Sequence, residues 1–144
     1  MEAEEAEHRR QAEEAARRDT PEYCIEKEVE LSPKAFAELV SAITYVGESG
    51  NMFADEQEEE RQHARFRGKR IIVSGKIQTV EETFFTSEVK CIIGAYGRTI
   101  SARFDGMSKA EAAKLQIGMR VTISGDVSDR LVLSTIALDR CVFE

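Results

Sequence analysis

The chain has no tryptophan, two prolines, two histidines and three cysteines among 144 residues, and the scarcity of cysteine and histidine bounds its chemistry. Cys24, Cys91 and Cys141 are too few and too widely spaced for a disulfide framework, and without a Cys-x-x-Cys pair they do not suggest a zinc site. Cys91 and Cys141 fall in apolar runs and read as buried thiols that pack as small hydrophobes. His8 and His63 lie in charged segments, with no nucleophile or orienting group in pattern, and read as solvated side chains. Glycine-rich phosphate cradles and metal-ligand spacings are missing, and Glu81 and Glu82 are neighbours in an expected turn that point apart. The expectation is a protein that is not an enzyme and uses no cofactor or metal. No apolar run approaches the roughly 18–20 residues that cross a bilayer. The opening Met1-Glu-Ala-Glu-Glu5 has the wrong sign for a secretory leader, so a cytoplasmic location without membrane contact is expected.

Charge is present in quantity but unevenly placed. Residues 1–67 carry 18 acidic and 9 basic side chains, whereas residues 68–144 carry 9 and 11. The overall charge of −7 thus conceals an acidic arm of −9 joined to a faintly basic half of +2. Residues 2–18 are strong helix formers with Glu and Arg or His at i,i+4, and alanine is their only apolar side chain. Such a helix has no face to bury and reads as a solvated leader. Asp19-Thr-Pro21 ends it, and residues 22–31 read as a short extended piece. Ser32-Pro33 is an N-cap followed by proline at the first helical position. Behind it Phe36, Leu39, Val40 and Ile43 form one apolar stripe, which predicts a helix over 33–45 resting on the rest of the protein. Residues 51–67 have helical propensity, with acidic residues first and basic residues last, as the helix dipole favours.

From Gly68 the apolar period changes to two. Ile71, Val73 and Ile77 alternate with Arg70, Ser74 and Lys76 in a strand over about 69–80. A second strand, about 84–93, turns Val89, Cys91 and Ile93 one way and Phe84, Thr86, Glu88 and Lys90 the other. Gly94-Ala-Tyr-Gly97 reads as a hairpin turn, and strand three, about 98–105, puts Ile100, Ala102 and Phe104 inward. Ser108-Lys-Ala-Glu111 is a capping box that opens a helix over 109–115, and strands over 119–128 and 131–143 follow. Ser74-Gly75 and Ser124-Gly125 repeat at matched positions after Gly68 and Gly118. Glycine inside a strand marks a bulge or a sharp bend, as the corners of a small closed barrel require. The predicted fold is mainly β with N-terminal helices. It is a five-stranded OB-type Greek-key barrel over 68–144 with a helix between strands three and four, behind an acidic leader (1–20) and a helical extension (21–67).

The run Phe66-Arg-Gly-Lys69 to Val73-Ser-Gly75, with Gly118-Met-Arg-Val121, Ser124-Gly125 and Asp139-Arg-Cys-Val142, resembles the tRNA_anti-like OB-fold domains of bacterial proteins. Asn51, Ala54 and Asp55 are similar to the lead-in of that family, which extends the resemblance over about 33–144. The spacer from Asp55 to Phe66 is longer than the family's, and the acidic leader lies outside it. The resemblance implies a nucleic-acid-binding role and no defined catalytic residues.

OB barrels bind oligonucleotides on the face of strands two and three and the adjoining loops, with stacked aromatics and a basic groove. Here that face is expected to carry Lys76, Phe84, Lys90, Arg103 and Arg120, with Tyr96 at the hairpin tip. Stacking contributes about 1–3 kcal/mol per base, so this thin set predicts weak, salt-sensitive binding of single-stranded DNA or RNA. A competing expectation is an acidic protein-interaction module, an adaptor or an inhibitor, in which Glu56, Glu58, Glu59 and Glu60 engage a basic protein partner or imitate a nucleic-acid strand. Phage-encoded nuclease inhibitors supply the analogy. Oligomeric state is open on the sequence alone.

Overall fold

A computed structural model describes residues 2–47, 49–82, 88–128 and 135–144. The predicted strand over 84–93 and the start of the predicted strand over 131–143 partly fall outside these residues, as does Phe84. Among the described residues, five helices and five strands follow in the order α1 (Glu2–Arg18), α2 (Pro21–Lys27), α3 (Pro33–Ile43), α4 (Met52–Ala64), β1 (Arg70–Glu82), β2 (Glu88–Ala95), β3 (Arg98–Asp105), α5 (Lys109–Ala113), β4 (Arg120–Val127) and β5 (Thr135–Phe143).

The strands close into a barrel in the order β1-β2-β3-β5-β4, with β4 returning to β1. All neighbours are antiparallel except β3 and β5, which run parallel from Thr99 opposite Thr135 to Ala102 opposite Leu138. With α5 between β3 and β4, this is the OB-type arrangement that the order of sequence patterns predicts. Ile71, Val73, Ile77, Cys91, Ile93, Ile100, Phe104, Ile123 and Leu138 fill the interior, in the inward phase that the period of two assigns.

The two Ser-Gly steps sit side by side in β1 and β4 and serve the closure. Lys76 is paired both with Arg120 of β4 and with Gly94 of β2, so β1 changes partner there, one residue after Gly75. Gln78 is the extra residue of a bulge two positions on, between Ile77 and Thr79. Gly125 lies at the second irregularity, where the register of β4 on β5 shifts between Ser124 and Asp126. Both serines are buried and bonded, Ser74 Oγ to Thr122 Oγ1 at 2.6 Å and Ser124 Oγ from Arg70 Nη2 at 3.0 Å.

The N-terminal helices differ from the expectation in one place. Residues 21–27 form a helix, where an extended piece was predicted over 22–31. Pro21 does not only stop α1: it occupies the start of α2, and the Thr20 side chain caps that helix by accepting from Tyr23 N at 3.3 Å. The extended conformation is confined to the exit, where Glu30 bridges Ile72 of β1 and Leu31 N donates to Ile72 O at 2.9 Å. Ser32 caps α3 as predicted, and Phe36, Leu39, Val40 and Ile43 are buried in the same core cluster as the barrel interior. No residue of α1 is buried.

Candidate nucleic-acid interface

The outer faces of β1, β2 and β3 can be read as rows, because residues directly across an antiparallel pair project on the same side. At one end, Glu81, Lys90 and Arg103 form a row. The middle row is Thr79, Ile92 and Ser101, continued by Ala137 of β5. At the other end Arg120, Lys76, Gly94, Thr99 and Thr135 run across all five strands. At about 3.4 Å per residue, the four residues from Lys90 to Gly94 separate the two outer rows by roughly 14 Å.

The rows differ in electrostatics. Arg103 Nε lies 3.3 Å from Glu88 Oε1, and Lys90 stands directly across from Glu81. The Lys90–Arg103 row, expected to be a free basic groove, is therefore flanked by carboxylates on the same face. Lys76 and Arg120 are different: both are exposed, they stand directly opposite each other, and among the described residues neither has an ion-pair partner. Like charges opposed across a strand pair are destabilising, so this row keeps an unrelieved positive charge that packing alone does not call for. Toward β2 and β3 the row continues into the small or polar residues Gly94 and Thr99. A Cβ on Gly94 would fall 2.4 Å from Gln78 Nε2, so the Gln78 amide lies over Gly94 next to Lys76.

Tyr96 goes to packing instead. With Gly97 it forms a tight two-residue turn in which both have positive φ, 49° and 75°. Its half-exposed ring meets Phe36 of α3 at a centroid distance of 5.4 Å. The turn is thus shorter than Gly94-Ala-Tyr-Gly97, and Gly94 is a strand residue. The loops that OB barrels use beside this face join β1 to β2 and β4 to β5, and residues 83–87 and 129–134 of this chain, Phe84 among them, lie outside the described residues.

No protein-family model matches the chain. No curated protein matches it at a significant level. Among solved structures, one similar chain is a lipoprotein from Klebsiella pneumoniae provisionally described as nucleic acid-binding, with TM-score 0.49 and 15% identity over 58% of this chain and 76% of that one. Another is an OBody bound to hen egg-white lysozyme, with TM-score 0.41 and 14% identity over 54% of this chain and 83% of that one.

The acidic candidates on α4 are largely engaged within the chain. Glu58 accepts from Arg61 at 2.6 and 2.9 Å and from Gln62, which holds its carboxyl below the usual range. Glu60 bonds Arg67 at 2.9 Å, with the same direction of shift. Glu59 accepts from Gly47 N at 2.9 Å, while Glu56 is exposed. His63, expected to be solvated, is partly buried with Nε2 3.0 Å from Tyr45 O, where it ties α4 to the end of α3. Its distance in sequence from Tyr45 hid that contact. Arg65 adds to the tie through Glu22 at 2.7 Å and Glu38 at 3.2 Å.

Proposed function

We propose that the barrel is a non-catalytic module, similar to the tRNA_anti-like OB domains, that binds single-stranded nucleic acid weakly across the outer face of β1, β2 and β3. The observation that carries this reading is the Lys76–Arg120 pair, two exposed cations directly opposite each other with no ion-pair partner among the described residues. A chain of phosphates relieves that repulsion, and release of counterions drives the binding. The row in which Ile92 stands between Thr79 and Ser101 separates the Lys76–Arg120 pair from Lys90 and Arg103, so a strand lying across the face would pass over one apolar and two polar side chains. His63 holds a backbone carbonyl, and the Cys91 and Cys141 thiols are pushed up to about 11 and about 12 by burial.

Titration of labelled single-stranded DNA and RNA with the full chain at low and moderate salt tests the reading. Binding at low salt that weakens steeply as salt rises supports it, and no binding of either oligonucleotide at low salt contradicts it.

A further inference from the structure

Large apolar side chains are exposed beside charges of opposite sign in two separate places. On α4, Met52 and Phe53 are 73% and 79% exposed, and exposed Glu56 lies four and three residues on, along the same side of the helix. On the barrel, Ile117 is 76% and Met119 45% exposed. The backbone places that second pair beside the cationic row, since Gly118 N donates to Ile77 O at 2.7 Å and Ile77 N to Met119 O at 2.9 Å, next to Lys76 and Arg120. One patch is apolar and acidic, the other apolar and basic. Patches of this kind on a protein surface mark interaction sites.

The two do not meet within one chain. Every side chain named is exposed, and α4 is fixed in its orientation by His63 on Tyr45, Glu59 on Gly47 and Arg65 on Glu22 and Glu38. Complementary patches that cannot join in one molecule can join between two. We propose that the Met52–Phe53–Glu56 face of one copy docks on the Ile117, Met119, Lys76 and Arg120 patch of a second copy, head to tail. Charge complementarity selects this occupant, because the acidic face presents Lys76 and Arg120 with the carboxylate that their own barrel withholds. Different surfaces meet in such a contact, so it extends into a ring or an open chain rather than stopping at a two-fold dimer. It also covers the cations assigned above to nucleic acid, and this regulatory consequence rests on that assignment: assembly and oligonucleotide binding exclude each other.

Sedimentation velocity over a range of protein concentrations at low salt, without nucleic acid, tests the docking. The wild-type mass rises with concentration past that of a dimer and falls when salt is added. Phe53→Ser and Ile117→Ser each stay monomeric, since each loses one of the two faces. An equimolar mixture of these two variants forms a dimer that grows no further, because each contributes its intact face; this also shows that both variants are folded. A wild type that stays monomeric throughout, or a mixture that does, overturns the docking. Anisotropy titration of labelled oligonucleotide with monomeric Phe53→Ser separates the two readings. Assembly of the wild type without oligonucleotide binding by the variant removes the nucleic-acid assignment and leaves the docking. Oligonucleotide binding without assembly does the reverse.

Discussion

Gly75 in β1 and Gly94 in β2 approach so closely that a Cβ on Gly75 would lie 2.5 Å from the Gly94 carbonyl oxygen and 2.7 Å from Ile93 Cγ2. The obstacle is backbone in a closed barrel, which cannot move aside without disturbing the partner change at Lys76. Gly75→Ala is therefore expected to cost about 1–3 kcal/mol, as overpacking does. Gly94→Ala meets only the end of the Gln78 side chain, which can swing away, and should cost less. Urea unfolding of both variants checks the order; equal losses would contradict it.

The same region shows what a reader of the sequence can and cannot extract. Repeated Ser-Gly steps and the period of two in Ile71, Val73 and Ile77 are local signals, and they placed β1, β4 and the closure. The use of Gly94 depends on a bulge at Gln78 in another strand, so local turn chemistry misplaced it in the hairpin. From the sequence Pro21 reads as a stop, because proline limits the residue before it. Its second role as a helix start depended on Thr20, whose capping value shows only once Tyr23 N lies above it. At the candidate site, the residue types were readable but their partners were not. Glu88 pairs with Arg103 across strands, Glu81 stands opposite Lys90, and Tyr96 finds Phe36 across 60 residues of chain, so only the fold reveals these neighbours.

Asp126 joins two cations from separate strands. Its carboxylate lies 3.2 Å from Arg70 Nη1 and pairs with the guanidinium of Arg140, beside the irregular step at Gly125. Both arginines are substantially exposed, so Asp126→Asn is expected to lower stability by only about 1 kcal/mol. Chemical unfolding at low and high salt checks this. The deficit should shrink at high salt, and a loss independent of salt would point to packing instead.

The buried thiols give a pH dependence with a definite sign. Cys91 and Cys141 ionise near 11 and 12 when folded, against about 9.0 for a free thiol, because burial disfavours the thiolate; for Cys141 the Arg103 backbone N–H opposes this modestly. The unfolded chain therefore releases these protons first as pH rises. Their contribution to stability is whole below pH 9 and is lost as pH climbs from there through 11 to 12. Unfolding curves across that range, compared with Cys91→Ala, should show the wild type losing more stability than the variant. At pH 8 a thiol reagent should label Cys91 and Cys141 only after denaturant is added.

Oligonucleotide binding depends most on where the barrel carries usable positive charge, and a salt titration with two double variants measures that directly. Lys76→Ala with Arg120→Ala is expected to weaken binding and reduce the slope of log affinity against log salt by about 1.4, at roughly 0.7 per phosphate contact on a single strand. Lys90→Ala with Arg103→Ala, which removes cations already facing Glu81 and Glu88, should change the slope by less. An unchanged slope in the first variant, or a larger loss in the second, would contradict this placement of usable charge.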